Sequence, residues 1–329
     1  MKVLVTGGAG YIGSHTVREL VNREHEVVVL DTLEAGRREL AERAGAYKLV
    51  VGSTGDPDLL DSLLSEERPA AVIHFAAHKA PGESMEQPGK YFGNNVTNTL
   101  SLLDAMVRHG INRFVFSSTC AIFGQPANVP VSEENNPTSP ESPYGESKLM
   151  VEKALKWYDM AHGLRSVRLR YFNAAGASFD GRLGEDWSVT LNLIPLVMKA
   201  ALGKSPAVKM FGTDYPTRDG TCVRDYIHVV DLAVAHVLSL ENMVRQDQSN
   251  VYNLGTGQGH SVREVVDATR RVAESSFKVE EVGRRPGDPA AIWADSSKAE
   301  RELGWKAKYG LDEIVRTAYN WHKATLDSF

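Results

Sequence analysis

Cysteine is scarce in this chain of 329 residues, and two thiols, Cys120 and Cys222, are too few to staple it. A reducing compartment, the cytoplasm, is the setting they predict. Long apolar runs are also missing, since no stretch reaches the ~18 uninterrupted residues that a membrane-crossing helix needs. The chain turns to glycine directly after Met1-Lys2-Val3-Leu4-Val5-Thr6, too soon for a signal peptide. Nor is there an excess of positive charge. With 37 basic against 42 acidic side chains the net charge is −5, which argues against a nucleic-acid partner or an anionic membrane surface. Internal repeats and low-complexity tracts are absent. What remains is 42% hydrophobic and 24% charged residues, the balance of a globular protein with a large core. At about 150 residues per domain the length predicts roughly two domains.

Short β-branched runs alternate with helical stretches through the first half. Residues 2–6, 26–31, 47–51, 70–75, 113–117 and 165–171 read as strands, and 11–22 and 91–109 as helices. Asp56-Pro57 reads as an N-cap followed by proline at the first helical position. Near-continuous apolarity at 27–30 and 72–75 fits strands buried on both faces. The fold class is therefore α/β, a doubly wound parallel sheet. After Tyr171 the rhythm loosens into a loop-rich, smaller α/β lobe. It has a helix at about 189–202, a strand at 251–254, a helix opened by the capping box Ser261-Val262-Arg263-Glu264, and two terminal helices.

Gly7-Gly8-Ala9-Gly10-Tyr11-Ile12-Gly13 lies between the first strand and the first helix, where bare backbone can approach a pyrophosphate and the helix N-terminus can meet its charge. Asp31 ends the second strand at close to the offset of a ribose-binding acid. A carboxylate there accepts the ribose hydroxyls and repels a 2′-phosphate, so a Rossmann-like fold holding NAD is predicted. Arg37 and Arg38 are placed on a solvated helix.

Tyr144 and Lys148 stand four residues apart, neighbours on one helical face. A nearby cation favours tyrosinate, which is how a phenol serves as a general base. The spacing recurs at Tyr319 and Lys323, read as a packing tyrosine and a solvated lysine. What distinguishes the first pair is its place beside Ser117-Ser118-Thr119 at the end of the fifth strand, the sheet edge where such folds bind ligands. A hydroxyl, a phenol and an ammonium beside a nicotinamide make a hydride-transfer site.

With these motifs in view, the sequence resembles the extended short-chain dehydrogenase/reductases, and among them the UDP-glucose 4-epimerase branch, essentially from end to end. Besides the glycine loop, the resemblance rests on His74-Phe75-Ala76-Ala77-His78-Lys79, Asn94-Asn95-Val96, Ser117-Ser118-Thr119, Pro143-Tyr144-Gly145-Glu146-Ser147-Lys148, Leu169-Arg170-Tyr171-Phe172-Asn173 and Val223-Arg224-Asp225-Tyr226-Ile227-His228-Val229. Arg284-Arg285-Pro286-Gly287-Asp288 and Trp293-Ala294-Asp295 complete it. It implies that Tyr144 removes the sugar 4-hydroxyl proton, that Lys148 binds the nicotinamide ribose and lowers the tyrosine pKa, and that Thr119 bonds the reacting oxygen. It further implies an NAD site of Gly7, Gly10, Tyr11, Ile12, Gly13, Asp31, Ser53, Phe75, Ala76, Lys79, Asn94, Tyr144, Lys148 and Tyr171. The UDP-sugar would meet Lys79, Thr119, Asn173, Asn192, Leu193, Phe211 on the uracil side, Arg224 and Arg285 on the diphosphate, Asp288 on the uridine ribose, and Ile292. Read without the family, Arg224-Asp225 passes equally for a local ion pair. The resemblance also implies a homodimer through the helices at 91–109 and 143–162. It divides the chain into a cofactor domain, 1–172, and a nucleotide-sugar domain, 173–329, with part of 223–242 folded back on the first.

Four positions depart from the family's commonest pattern. Gly52-Ser53-Thr54 stands where an adenine-contacting acid is usual, Thr119 replaces a frequent serine, and Phe123 a usual tyrosine. Ile292 stands where strict glucose/galactose epimerases tend to carry a bulky tyrosine, which opens the pocket to N-acetylated sugars. A 4,6-dehydratase would carry Asp-Glu directly after the threonine, whereas this chain reads Thr119-Cys120-Ala121. His74 and His78 have a metal-like spacing but straddle a strand end without further ligands, so no metal is expected.

Overall fold

The computed structural model describes residues 1–189, 192–285 and 288–326. Pro286 and Gly287 of the late motif, positions 190 and 191 of the expected helix at 189–202, and the last three residues of the expected second domain lie outside the described residues.

Six strands follow in order: β1 (Lys2–Thr6), β2 (Glu26–Asp31), β3 (Lys48–Val51), β4 (Ala71–His74), β5 (Arg113–Ser117) and β6 (Arg165–Tyr171). They pair in parallel in the order β6-β5-β4-β1-β2-β3. Alternation along β1, β2, β4 and β5 buries both faces. Val3, Val5, Val27, Val29, Ile73 and Val115 face one helical layer, while Leu4, Val28, Leu30, Val72, Phe114 and Phe116 face the other. Each such side chain contributes roughly 1.5–3 kcal/mol by leaving water. The sheet positions everything that follows, because its C-terminal edge carries Thr6, Asp31, His74 and Ser117 side by side.

The strand expected at 70–75 stops at His74. Phe75 still donates its backbone N–H to the Thr6 carbonyl (2.9 Å), and there the chain leaves the sheet towards Lys79. The helix expected over 91–109 is broken into an α-turn (Pro88–Tyr91), a π-helix (Phe92–Thr97) and an α-helix (Asn98–Arg108). Its cause is Asn95, whose side chain is drawn inward to bond both the His78 N–H (2.9 Å) and the His78 carbonyl (3.0 Å). Such π-turns are frequent at functional sites. Asp56 caps its helix as expected, accepting from the Leu59 N–H at 3.1 Å, and Ser261 and Glu264 form the capping box.

Beyond Tyr171 the chain does not leave the first body entirely. The helix Val229–Gln246 packs on the helix Tyr11–Asn22 through Leu232, Ala235, Leu240 and Met243. Strand Asn250–Leu254 then pairs with β6, so the large sheet has seven parallel strands among the described residues. Smaller pairings build the other lobe, including Asn173–Ala175 with Tyr226–His228 and Val223–Arg224 with Ala291–Ile292.

Candidate active site

The glycine loop is dictated by space. Gly7 has φ +72°, and a Cβ there would lie 2.6 Å from the Ala76 nitrogen; a Cβ on Gly13 would lie 2.2 Å from the Gly7 carbonyl oxygen. Gly10 is the N-cap of the helix Tyr11–Asn22, so the first turn presents bare backbone to the sheet edge, the cradle a pyrophosphate requires. Asp31, nearly buried at the end of β2, accepts from the Ala9 N–H (3.0 Å) and the Leu33 N–H (2.9 Å). Burial pushes its carboxyl up, and these two donors pull it back. The acid thus shapes the loop.

Arg37 does not lie on the solvated helix expected for it. It precedes the helix Arg38–Ala44, and its guanidinium reaches Asp186 (Nη2 2.6 Å, Nε 2.9 Å) in the other lobe. A cation held there is not aimed at a 2′-phosphate. Arg38 opens that helix in solvent. Ser53 turns its hydroxyl to the Gly55 N–H (3.0 Å), and Asn94 sits in the π-turn, bonded to Asn95 and Asn98. Phe75 packs on His236, Ala76 crowds Gly7, and Ile12 packs half-buried on the core. Tyr11 crosses the cleft to donate to the Gly176 carbonyl (2.6 Å), and Lys79 reaches the buried Glu185 at 3.2 Å.

The chemistry lies at the end of β5. Thr119 is buried, and its hydroxyl caps the following turn by accepting from the Ala121 N–H (3.1 Å). Tyr144 and Lys148 project from the first turns of the helix Pro143–His162, which Ser142 caps. Lys148 is buried, donates to the Ser117 carbonyl (2.8 Å) and lies over the Phe116 ring; burial lowers its pKa to about 7. Burial also pushes the Tyr144 phenol well above its ordinary value, with the Thr119 hydroxyl pulling the other way. The Lys148 ammonium, expected to lower the phenol, stands one helical turn beyond it on the same helix and donates to the Ser117 carbonyl. Tyr171 shares a 2.6 Å hydrogen bond with the Ser117 hydroxyl.

The second lobe faces this edge. Asn173 donates its backbone N–H to the Asp225 carbonyl, beside β6. Arg224 pairs with Asp288 (3.5 Å), not with its neighbour Asp225. Asp225 is buried and accepts from Thr256, Gly257 and Ala294 instead, so it serves as a loop anchor. Arg285 lies over the Phe211 ring at 4.4 Å. Asn192 caps the helix Leu193–Ala201 by position, with its amide towards Glu185 (3.4 Å), and Leu193 packs beneath it. Ile292 is buried among Phe123, Leu149 and Phe172, with Cys120 against the same cluster. Cys120 is half-buried as a residue, and burial raises its thiol to about 12; Cys222 is buried. His74 is a core histidine whose ring nitrogens meet Thr6 (2.7 Å) and Thr99 (2.9 Å), while His78 turns to Tyr91. Tyr319 packs half-buried and Lys323 is exposed above its ring.

Three acids went unnoticed in the sequence. Glu185 and Asp186 bridge back to Lys79 and Arg37, and nothing in their spacing announces it. Glu152 could have been found, since it repeats the four-residue step from Tyr144 to Lys148.

A protein-family profile described as GDP-mannose 4,6 dehydratase matches residues 4–318. The chain is 48% identical over 327 residues to a UDP-glucose 4-epimerase of Halalkalibacterium halodurans, covering 98% of this chain and 96% of that one. Among solved structures it resembles a UDP-glucose 4-epimerase from Stenotrophomonas maltophila with bound NAD and formylated UDP-arabinopyranose. That match has a TM-score of 0.96 and 42% identity, over 100% of both chains. It also resembles the UDP-Glc/GlcNAc 4-epimerase of Campylobacter jejuni, with a TM-score of 0.86 and 41% identity over 98% of this chain and 99% of that one.

Proposed function

This chain belongs to the UDP-glucose 4-epimerase family, and we propose from that premise that it interconverts UDP-glucose and UDP-galactose with NAD as its resident cofactor. The observation that carries this reading is the meeting of Thr119, Tyr144 and Lys148 with the bare glycine loop at one sheet edge. The cradle fits NAD, since the turn excludes any Cβ at Gly7 or Gly13 and Asp31 closes the ribose end. Gly7, Gly10, Tyr11, Ile12, Gly13, Asp31, Ser53, Phe75, Ala76, Lys79, Asn94 and Tyr171 are its proposed holders, with Tyr144 and Lys148 on the nicotinamide side. When bound, NAD would supply the hydride acceptor and donor for sugar carbon 4.

The protein's own work is proton handling and grip. Tyr144, as the tyrosinate that the Lys148 ammonium would favour, takes the 4-hydroxyl proton, holds it at the phenol oxygen while the sugar is a 4-ketone, and returns it to the inverted oxygen. Thr119 bonds that oxygen, and Lys148 binds the ribose. Arg224 and Arg285 suit the diphosphate, each able to give paired charged hydrogen bonds. Phe211 takes the uracil side and Asp288 the uridine ribose. Asn173, Asn192, Leu193 and Lys79 border a sugar held loosely enough to turn over. No carboxylate follows Thr119 to protonate a departing 6-hydroxyl, so a dehydratase reading lacks its acid. We assign 1–172 to the cofactor and 173–329 to the nucleotide sugar, with the helix Val229–Gln246 and strand Asn250–Leu254 returned to the first body.

UDP-galactose given to the purified holoenzyme yields UDP-glucose in a coupled dehydrogenase assay, and Tyr144→Phe lowers that rate by about 10²–10⁴ while keeping its fold. Near-normal turnover by the variant would discard the mechanism. Chromatographic separation of UDP-N-acetylglucosamine from its 4-epimer after incubation with the holoenzyme tests the wider pocket proposed from Ile292. Conversion supports it, Ile292→Tyr should abolish it, and no conversion at high enzyme concentration rejects it. We place the working protein in the cytoplasm as a homodimer. Its interface is supported by Met150, Trp157 and Met160, exposed on the helix Pro143–His162. Trp157→Glu should shift the protein to monomer in light scattering.

A further inference from the structure

Glu152 is a carboxylate the reaction as described leaves unused, yet it is 5% exposed and sits one helical turn beyond Lys148. Its Oε1 accepts from the Ser118 hydroxyl at 2.5 Å, and Arg170 on β6 holds both oxygens, with Nη2–Oε2 at 2.6 Å. Lys148 meanwhile donates to the Ser117 carbonyl. Two side chains of one helix therefore grip two consecutive residues of the strand end, directly before Thr119. A buried carboxylate with one partner on each of two strands is costly to place unless it serves a purpose.

Resting on the epimerase reading, we propose that Glu152 is a positioning residue. It ties the Ser118-Thr119 strand end to the helix bearing Tyr144 and, one helical turn from Lys148, sets a negative charge against the loss of the ammonium's proton. The surroundings leave few rivals for that task. On β4, His74 is held neutral by burial; on β5, only the Ser117 carbonyl and the Phe116 ring face the ammonium. On β6, Tyr171 is a neutral phenol, Arg170 is bound to Glu152, and the Arg168 guanidinium also feels Glu152. In the turn after β5 the Cys120 thiol is neutral. On the short helix packed against Tyr144, Ser84 accepts the Tyr144 N–H, while Glu83 pairs with Lys90 and accepts from Tyr91. Glu152 acts on Lys148 in the direction that retains the proton.

The test is the pH profile of kcat for Glu152→Gln holoenzyme against wild type. Without the carboxylate the ammonium gives up its proton at lower pH, so the alkaline limb should move down by about one unit, with roughly tenfold less turnover above it. Because the Gln variant leaves Arg170 without its carboxylate, E152Q/R170M removes both charges of the pair and should move the limb in the same direction by less. Glu152→Asp keeps the charge on a shorter arm, so it should lower kcat and leave the limb in place. A merely structural acid would lower the melting temperature without moving the limb. Unchanged limbs in the Gln variants, or a limb displaced equally by Asp, overturn the proposal. Inactive wild-type holoenzyme would instead overturn the epimerase reading on which it rests.

Discussion

At the scale of single residues, the site sets charge against burial. Lys148 keeps a pKa of about 7 where an unfolded chain has 10.5. Between those values the unfolded chain binds a proton that the folded one has released, so stability rises with pH across that window. Below pH 7 both states carry the charge, and the native state bears the full cost of burying it. Lys148→Met should therefore melt higher than wild type at pH 6–7, with the difference fading towards pH 10, while turnover is lost. Calorimetry across that range checks the slope. Asp31 makes a second case, because it shapes the loop and is the proposed ribose acid. Asp31→Ala should weaken NAD about ten- to hundredfold and narrow the preference over NADP, as read by titration of the apoprotein. Both residues were legible in the sequence because motif spacing revealed them. The acids Glu185 and Asp186 were not, since their partners lie more than a hundred positions away and only the folded chain joins them.

Elements were read more surely than their connections. β1, β2, β5 and β6 end where β-branched runs end, because both faces are buried and nothing competes with the two-residue period. The helix expected over 91–109 failed at Asn95, a polar side chain whose pull towards His78 has no periodic signature. At the loop-to-helix junction, spacing predicted a pyrophosphate cradle and steric detail now explains it. Gly13→Ala would drive a Cβ into the Gly7 carbonyl at 2.2 Å, so the loop must shift. A loss of roughly 2–3 kcal/mol in denaturant unfolding is expected, together with protein purified free of NAD.

Over the whole molecule, the cofactor groove is bordered by contacts between its two halves. Tyr11 meets Gly176, Lys79 meets Glu185, and Arg37 meets Asp186. These bonds should slow the escape of NAD during the interval when the sugar turns over. Glu185→Gln with Asp186→Asn should speed exchange of bound NAD by roughly three- to tenfold in a labelled-cofactor chase. Unaltered exchange would show that the ion pairs only fasten the lobes. The loosening of the strand–helix rhythm after Tyr171 was legible from glycine content. What the sequence concealed was the place of strand Asn250–Leu254, which has an ordinary apolar pattern but pairs 83 residues back with β6.

That strand has a consequence for modularity. A fragment ending at 172 would present β6, with Val167 and Leu169, as an open and sticky margin, its backbone donors and acceptors unmatched. Expressed alone, such a fragment should elute as aggregate in gel filtration. The first half of the chain borrows the last strand of its sheet from the second half, so the dinucleotide fold should not lift out as an independent cassette.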